Sequence, residues 1–233
     1  NSPELVIAEG IMLSTFPPNN KDNPQAHLNF AFQGEFDVFA HHVARAVDEN
    51  DKRTLYLGII LHNPTDEKVS VDILQGASYL SQPDAPFISL PPKLEGSNIF
   101  AGPGSRVTGD ILRGKRQDIF PPEITLAPRE SKMLLNVPIP VQTLTPPLNG
   151  RSTYVRLNSD GKVYIASLAM YRDGENNPPD LSSWKELLTK GDLSTPRDRV
   201  PTPPEAQGQR IYGRVAGVSE GNLWKTDLVD SPS

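Results

Sequence analysis

The densest polar chemistry in the sequence is the run Gly102, Pro103, Gly104, Ser105 and Arg106, followed by Asp110, Arg113, Gly114, Lys115 and Arg116. Backbone amides freed by glycine, together with guanidinium groups, suit the oxygens of a carboxylate, sulfate or phosphate. Arg106, Asp110, Arg113 and Arg116 are therefore the candidate ligand-binding residues, for an anion or a sugar acid. The run lacks the lysine and spacing of a P-loop and does not open a βαβ unit, so nucleotide binding is not expected. The competing reading is structural: the arginines pair with Asp110 and Asp118 and brace the loop.

His41 and His42 invite a metal, with Asp37, Asp48 and Glu49 nearby. Neighbouring residues on a strand point to opposite faces, so both reach one ion only from a loop. No zinc-type spacing supports them, and neither a metal nor any other cofactor is expected. Gly217, Val218, Ser219, Glu220 and Gly221 spell the G-x-S-x-G string of a nucleophile elbow. In the hydrolases that use it the histidine follows the serine. Here all four histidines, at 27, 41, 42 and 62, precede it, and no catalytic set is expected. Tyr79, Phe87, Tyr171, Trp184 and Trp224 are candidates for a carbohydrate-stacking platform, although a chain with 7% aromatic residues needs most of its rings in the core.

The chain that must position these groups has 233 residues, 24 Pro, 17 Gly and no Cys. That length buries a core without disulfides. Its turn-rich composition argues against a helical bundle. The formal charge of -5 gives no electrostatic reason for a nucleic-acid partner. No apolar run approaches the roughly 18 residues that a membrane-spanning helix needs. The sequence begins at Asn1 without a leader-like stretch, which reads as a processed or trimmed product.

Thr54 to Leu61 is a nearly unbroken apolar run and predicts a central strand buried on both faces. With the turn at Asn63 to Glu67 and the alternating Val69, Val71 and Ile73, it reads as a hairpin. The same grammar predicts hairpins over 124–139, over 152–171 around Asn158, Ser159, Asp160 and Gly161, and over 27–41 around Gly34. One helix is expected: Leu181, Trp184, Leu187 and Leu188 follow the capping candidates Asp180 and Ser182, and Gly191 ends it. Between 81 and 122 only Val107 to Leu112 suggests a helical turn. The expected fold is all-β: an antiparallel, immunoglobulin-like β-sandwich with long loops and one short helix. It spans 1–193 with a loop insertion at 81–122. A Pro-rich linker follows at 194–210, and 211–233 holds a late strand that pairs back or opens a missing C-terminal region.

Several strings resemble a cyanobacterial family of secreted proteins catalogued only as a domain of unknown function. They include Glu9 to Pro18, Phe36 to His42, Leu55 to Pro64, Gln82 to Phe87, Gly102 to Arg106, Leu112 to Gly114, Asn149 to Ser152 and Ile211 to Val218. The resemblance covers nearly the whole chain and names no chemistry. It implies a secretory precursor, export to the periplasm or cell exterior, and a longer full-length protein. The expected function is a non-catalytic cell-envelope or extracellular protein that acts by binding or structural association, with an envelope polysaccharide or a protein as partner. A carbohydrate-binding or polysaccharide-associated role is the alternative, and a hydrolase the remote third.

Overall fold

The computed structural model describes residues 8–89, 93, 100–174, 176–194 and 216–221. In chain order it contains β1 (Gly10–Ser14), a 3-10 turn (Pro24–Ala26), β2 (Phe32–Arg45), β3 (Arg53–His62), β4 (Val69–Leu80), α1 (Pro103–Leu112), β5 (Glu123–Leu126), β6 (Ser131–Ile139), β7 (Leu148–Asp173) and α2 (Leu181–Lys190). The seven strands form one antiparallel sheet in the order β5-β4-β7-β3-β6, with β1 and β2 also paired to β7. The sheet curls into a half-barrel.

Strand β7, 26 residues long, organises everything else. Its first half runs between β2 and β4, and its second half between β1 and β3. The two halves of the curl therefore face each other over one core. Leu57, Ile59 and Leu61 of β3 meet Val71 and Ile73 of β4 and Val155 and Leu157 of β7 there. Each such side chain contributes roughly 1.5–3 kcal/mol on full burial. On the outer face of β3, Tyr56 and Ile60 pack with Leu168, Trp184 and Leu188, so β3 is buried on both faces as its composition predicts.

The all-β antiparallel class is the class observed. Two separate immunoglobulin-like sheets are not, because β7 belongs to both halves. The four expected hairpins also do not form. β3 pairs with β6 and β7 while β4 pairs with β5 and β7, so the turn after His62 carries the chain from one half of the curl to the other. The turn between β5 and β6 makes the same crossing. Around Asp160 and Gly161 the strand continues without reversing. Gly161 takes no positive φ; a Cβ there would lie 2.6 Å from Val69 Cγ2, and the Asp160 carboxylate accepts the Ser70 N–H at 2.9 Å. The Asp-Gly pair thus seats the start of β4. At the fourth place, β2 begins only at Phe32, and Gly34 (φ 79°) marks a register shift against β7.

The two helices differ in legibility. α2 forms as its spacing predicts: Asp180 accepts the Ser183 N–H at 2.8 Å, and Trp184 and Leu188 are buried. α1 is a second helix, longer than the turn expected at Val107 to Leu112. Gly102 at φ 85° turns the chain, Pro103 opens the helix, and Val107 and Ile111 bury its inner face. The expected linker lies almost wholly outside the described residues, as do 211–215 of the late strand and Trp224. Residues 216–221 form neither strand nor helix.

Candidate functional site

Three rings come together where β1 and β3 end, beside the middle of β7 and near the last turns of α2. His62 closes β3 and stands directly opposite Tyr164 on β7 and Ser131 on β6. The His62 and Tyr164 rings are parallel to within 5°, with centroids 6.4 Å apart, and Phe16 stacks on His62 at 5.5 Å. Phe16 is held by its neighbour Thr15, whose N–H donates to the Ile165 carbonyl and whose hydroxyl accepts the Ile165 N–H, both at 2.8 Å. This extends the β1 pairing by one residue and fixes the ring's direction.

Three cations surround these rings, each from a different segment. Lys21 lies on the loop after β1, which is tied to α2 by the Asp22 N–H donating to the Thr189 carbonyl at 2.9 Å. Arg129 lies in the turn between β5 and β6 with φ 60°. Lys185 is on α2, one residue past the buried Trp184. Together they line a cavity of about 430 Å³, a volume within the range of small-molecule sites. No Asp or Glu is among the lining residues. Arg129 pairs with Asp66 at 3.0 Å, an exposed contact of little net strength. Among the described residues neither Lys21 nor Lys185 has an ion-pair partner.

The electrostatics follow from this crowding of positive charge. Burial pulls the His62 imidazole below its usual value, and Lys185 pulls it further; Arg129 and Lys21 act in the same direction. Burial alone lowers Lys21, and burial followed by Lys21 lowers His27. The cleft thus gathers three cations, of which Arg129 is paired at the surface with Asp66, around an aromatic floor.

Serine and histidine meet at three places, and none is built as a hydrolytic dyad. Ser131 Oγ is 2.9 Å from His62, Ser152 Oγ 2.7 Å from His41, and Ser14 Oγ 2.7 Å from His27, every contact through Nδ1. In serine hydrolases Nε2 takes the serine proton while a carboxylate holds Nδ1. Two of these contacts are cross-strand pairs in register, which is a structural use. Ser219 of the elbow-like string is exposed.

The residues singled out in the sequence lie elsewhere, on α1 and the segment just after it, where the helix packs against β4 and β7. Asp110 is buried, accepts the Tyr79 hydroxyl at 2.6 Å, and has Lys115 at 3.4 Å and Arg113 at 3.8 Å. Arg106 lies over the Tyr79 ring at 4.0 Å and donates to the Asp84 carbonyl. Arg116 donates to the Ile73 carbonyl at 2.9 Å. Two of the three guanidiniums are therefore engaged with main-chain carbonyls. His41 and His42 sit adjacent on β2 and point to opposite faces, His41 outward and His42 buried. Among the described residues no three metal-ligating side chains converge. Of the aromatic candidates, Trp184 is wholly buried against Gly58, while Phe87 is exposed.

The rings and cations of the cleft escape a linear reading because they are spread from Phe16 to Lys185. The available signal was the pair of proline turns, Asn63-Pro64 and Pro128-Arg129, which the fold brings together. No curated protein and no solved structure matches the chain. A family model described as protein of unknown function (DUF3370) matches residues 1–233 from end to end, and the chain therefore belongs to that family.

Proposed function

We propose that the protein is an exported, non-catalytic binding protein of the cell envelope or exterior, and that the cleft of Phe16, Lys21, His62, Arg129, Tyr164 and Lys185 is its site for an anionic ligand. The observation that carries this reading is the convergence of three cations on one cleft where, among the described residues, two of them have no ion-pair partner and the lining holds no carboxylate. Leaving like charges together costs stability, and a bound anion relieves that cost. The same positive lining disfavours cationic and zwitterionic ligands, whose ammonium group would find no partner. Export rests on the secreted family that the sequence resembles.

Thermal unfolding of the full chain with citrate, benzoate or an oligogalacturonate tests the site. At least one of these raises the midpoint in a saturable way, as a ligand of the native state must, and a Lys21→Ala, Lys185→Ala double variant loses the shift. If none of them shifts the wild type, the reading fails. Fractionation of cells that make the full-length precursor tests the second half: mature protein retained in the cytoplasm removes the proposal of export.

A further inference from the structure

The nature of the cleft narrows its ligand further, on the basis of the anion-site reading above. We infer that the occupant is a stretch of acidic oligosaccharide, a run of uronate units whose pyranose faces pack against the half-buried Tyr164 and His62 and whose carboxylates meet Lys21, Lys185 and Arg129.

A phosphate or other compact dianion is best held by free main-chain N–H groups at a helix start. The part of α2 that lines the cleft is Lys185, Leu188 and Thr189, its C-terminal half, where the helix carries partial negative charge. The N-terminus of α2 is already capped by Asp180. Positive charge is thus supplied only by side chains spread over three segments, which suits several separated single charges better than one concentrated double charge. A fatty acid needs a deep apolar tunnel, whereas the aliphatic wall here is Leu188 with Pro17 and Pro64. A small aromatic carboxylate stacks on the rings but answers one cation and leaves two.

A uronate chain uses every feature of the cleft. Sugar C–H faces pack on aromatic rings, and the half-buried rings of His62 and Tyr164 line the cleft, backed by the buried Phe16. Arg129 can exchange its exposed partner Asp66 for a ligand carboxylate at little cost.

Calorimetric titration of the full chain with trigalacturonate decides the question, against fully methyl-esterified trigalacturonate, benzoate and inorganic phosphate. Trigalacturonate binds, and the esterified trimer, benzoate and phosphate bind at least about tenfold more weakly. Lys185→Ala and Tyr164→Ala each weaken trigalacturonate by about tenfold or more, an effect of ordinary size for a lost charge pair or stacking platform. Lys185→Arg and Tyr164→Phe keep the affinity within about threefold, which separates contact from misfolding. Equal binding of benzoate or phosphate, or an unchanged affinity in Tyr164→Ala, overturns the acidic-glycan assignment and leaves the anion site standing. If none of the anions binds, both fall.

Discussion

Asn63 and Glu130 join the two turns that cross between the halves of the curl. The Asn63 N–H donates to the Glu130 carbonyl at 2.9 Å, and the Asn63 side-chain amide donates to the carbonyls of Glu67, Leu126 and Ala127 at 2.7, 3.3 and 3.0 Å. The residue is fully buried. One asparagine therefore satisfies the backbone of both corners and holds Arg129 beside His62. Asn63→Ala removes the donor from these carbonyls, the one on Leu126 buried, and should cost about 1–3 kcal/mol in urea unfolding, with Asn63→Asp at least as damaging because a carboxylate cannot donate. A change within about 0.3 kcal/mol for both would show that the corners do not depend on it.

The cations of the cleft are predicted to contribute to binding and not to stability. Lys21→Met and Lys185→Gln should leave the unfolding free energy within about 0.5 kcal/mol of wild type, or raise it, since each removes like-charge repulsion. Denaturant titration of the ligand-free protein checks this. A clear loss in either variant would mean that the lysine is a structural support.

Gly58 sets the distance between β3 and α2. A Cβ at this position would lie 2.7 Å from the Trp184 ring. Gly58→Ala should therefore cost about 1–3 kcal/mol through overpacking and should displace the helix that carries Lys185. Near-UV circular dichroism of the indole, together with the melting midpoint, reads both effects; an unchanged spectrum and midpoint would count against this packing.

His62 and His27 predict the acid response. Burial holds both below their usual value of about 6.5. The unfolded chain then binds more protons than the folded one as pH drops below about 6.5, so stability is full above that pH and declines beneath it. His62→Gln should flatten part of the decline in a melting series from pH 8 to pH 5. Ligand binding should run the other way: an anion in the cleft favours protonated His62, so binding takes up protons, a quantity calorimetry in two buffers of different ionisation enthalpy measures directly.

The parts of the fold that the sequence reveals are those fixed by local pattern. The unbroken apolar run of β3 requires burial on both faces, and the Asp180 cap with Trp184 and Leu188 requires an amphipathic helix. Pairing partners are another matter. Asn158 to Gly161 has the composition of a tight turn, yet Gly161 is glycine because Val69 presses on it, and composition does not separate a dihedral need from a steric one. α1 is hidden because glycines at 104 and 109 lower its intrinsic propensity, and burial of Val107 and Ile111 restores it. In the α1 cluster the arginine-rich loop is visible in the sequence, whereas the carbonyls that Arg106 and Arg116 engage are not. The cleft depends on tertiary proximity throughout.

The shared strand has a consequence for how the molecule is made. β1, β2, β3 and β4 all require β7 as a neighbour, and Gly10 pairs with Ala169 near its far end. Such long-range closure is slow, because chain entropy is lost before contacts repay it. A nascent polypeptide emerging from the ribosome carries most of its strands while their common partner is still unsynthesised, and must keep their apolar faces from aggregating until roughly the last quarter of the described domain appears.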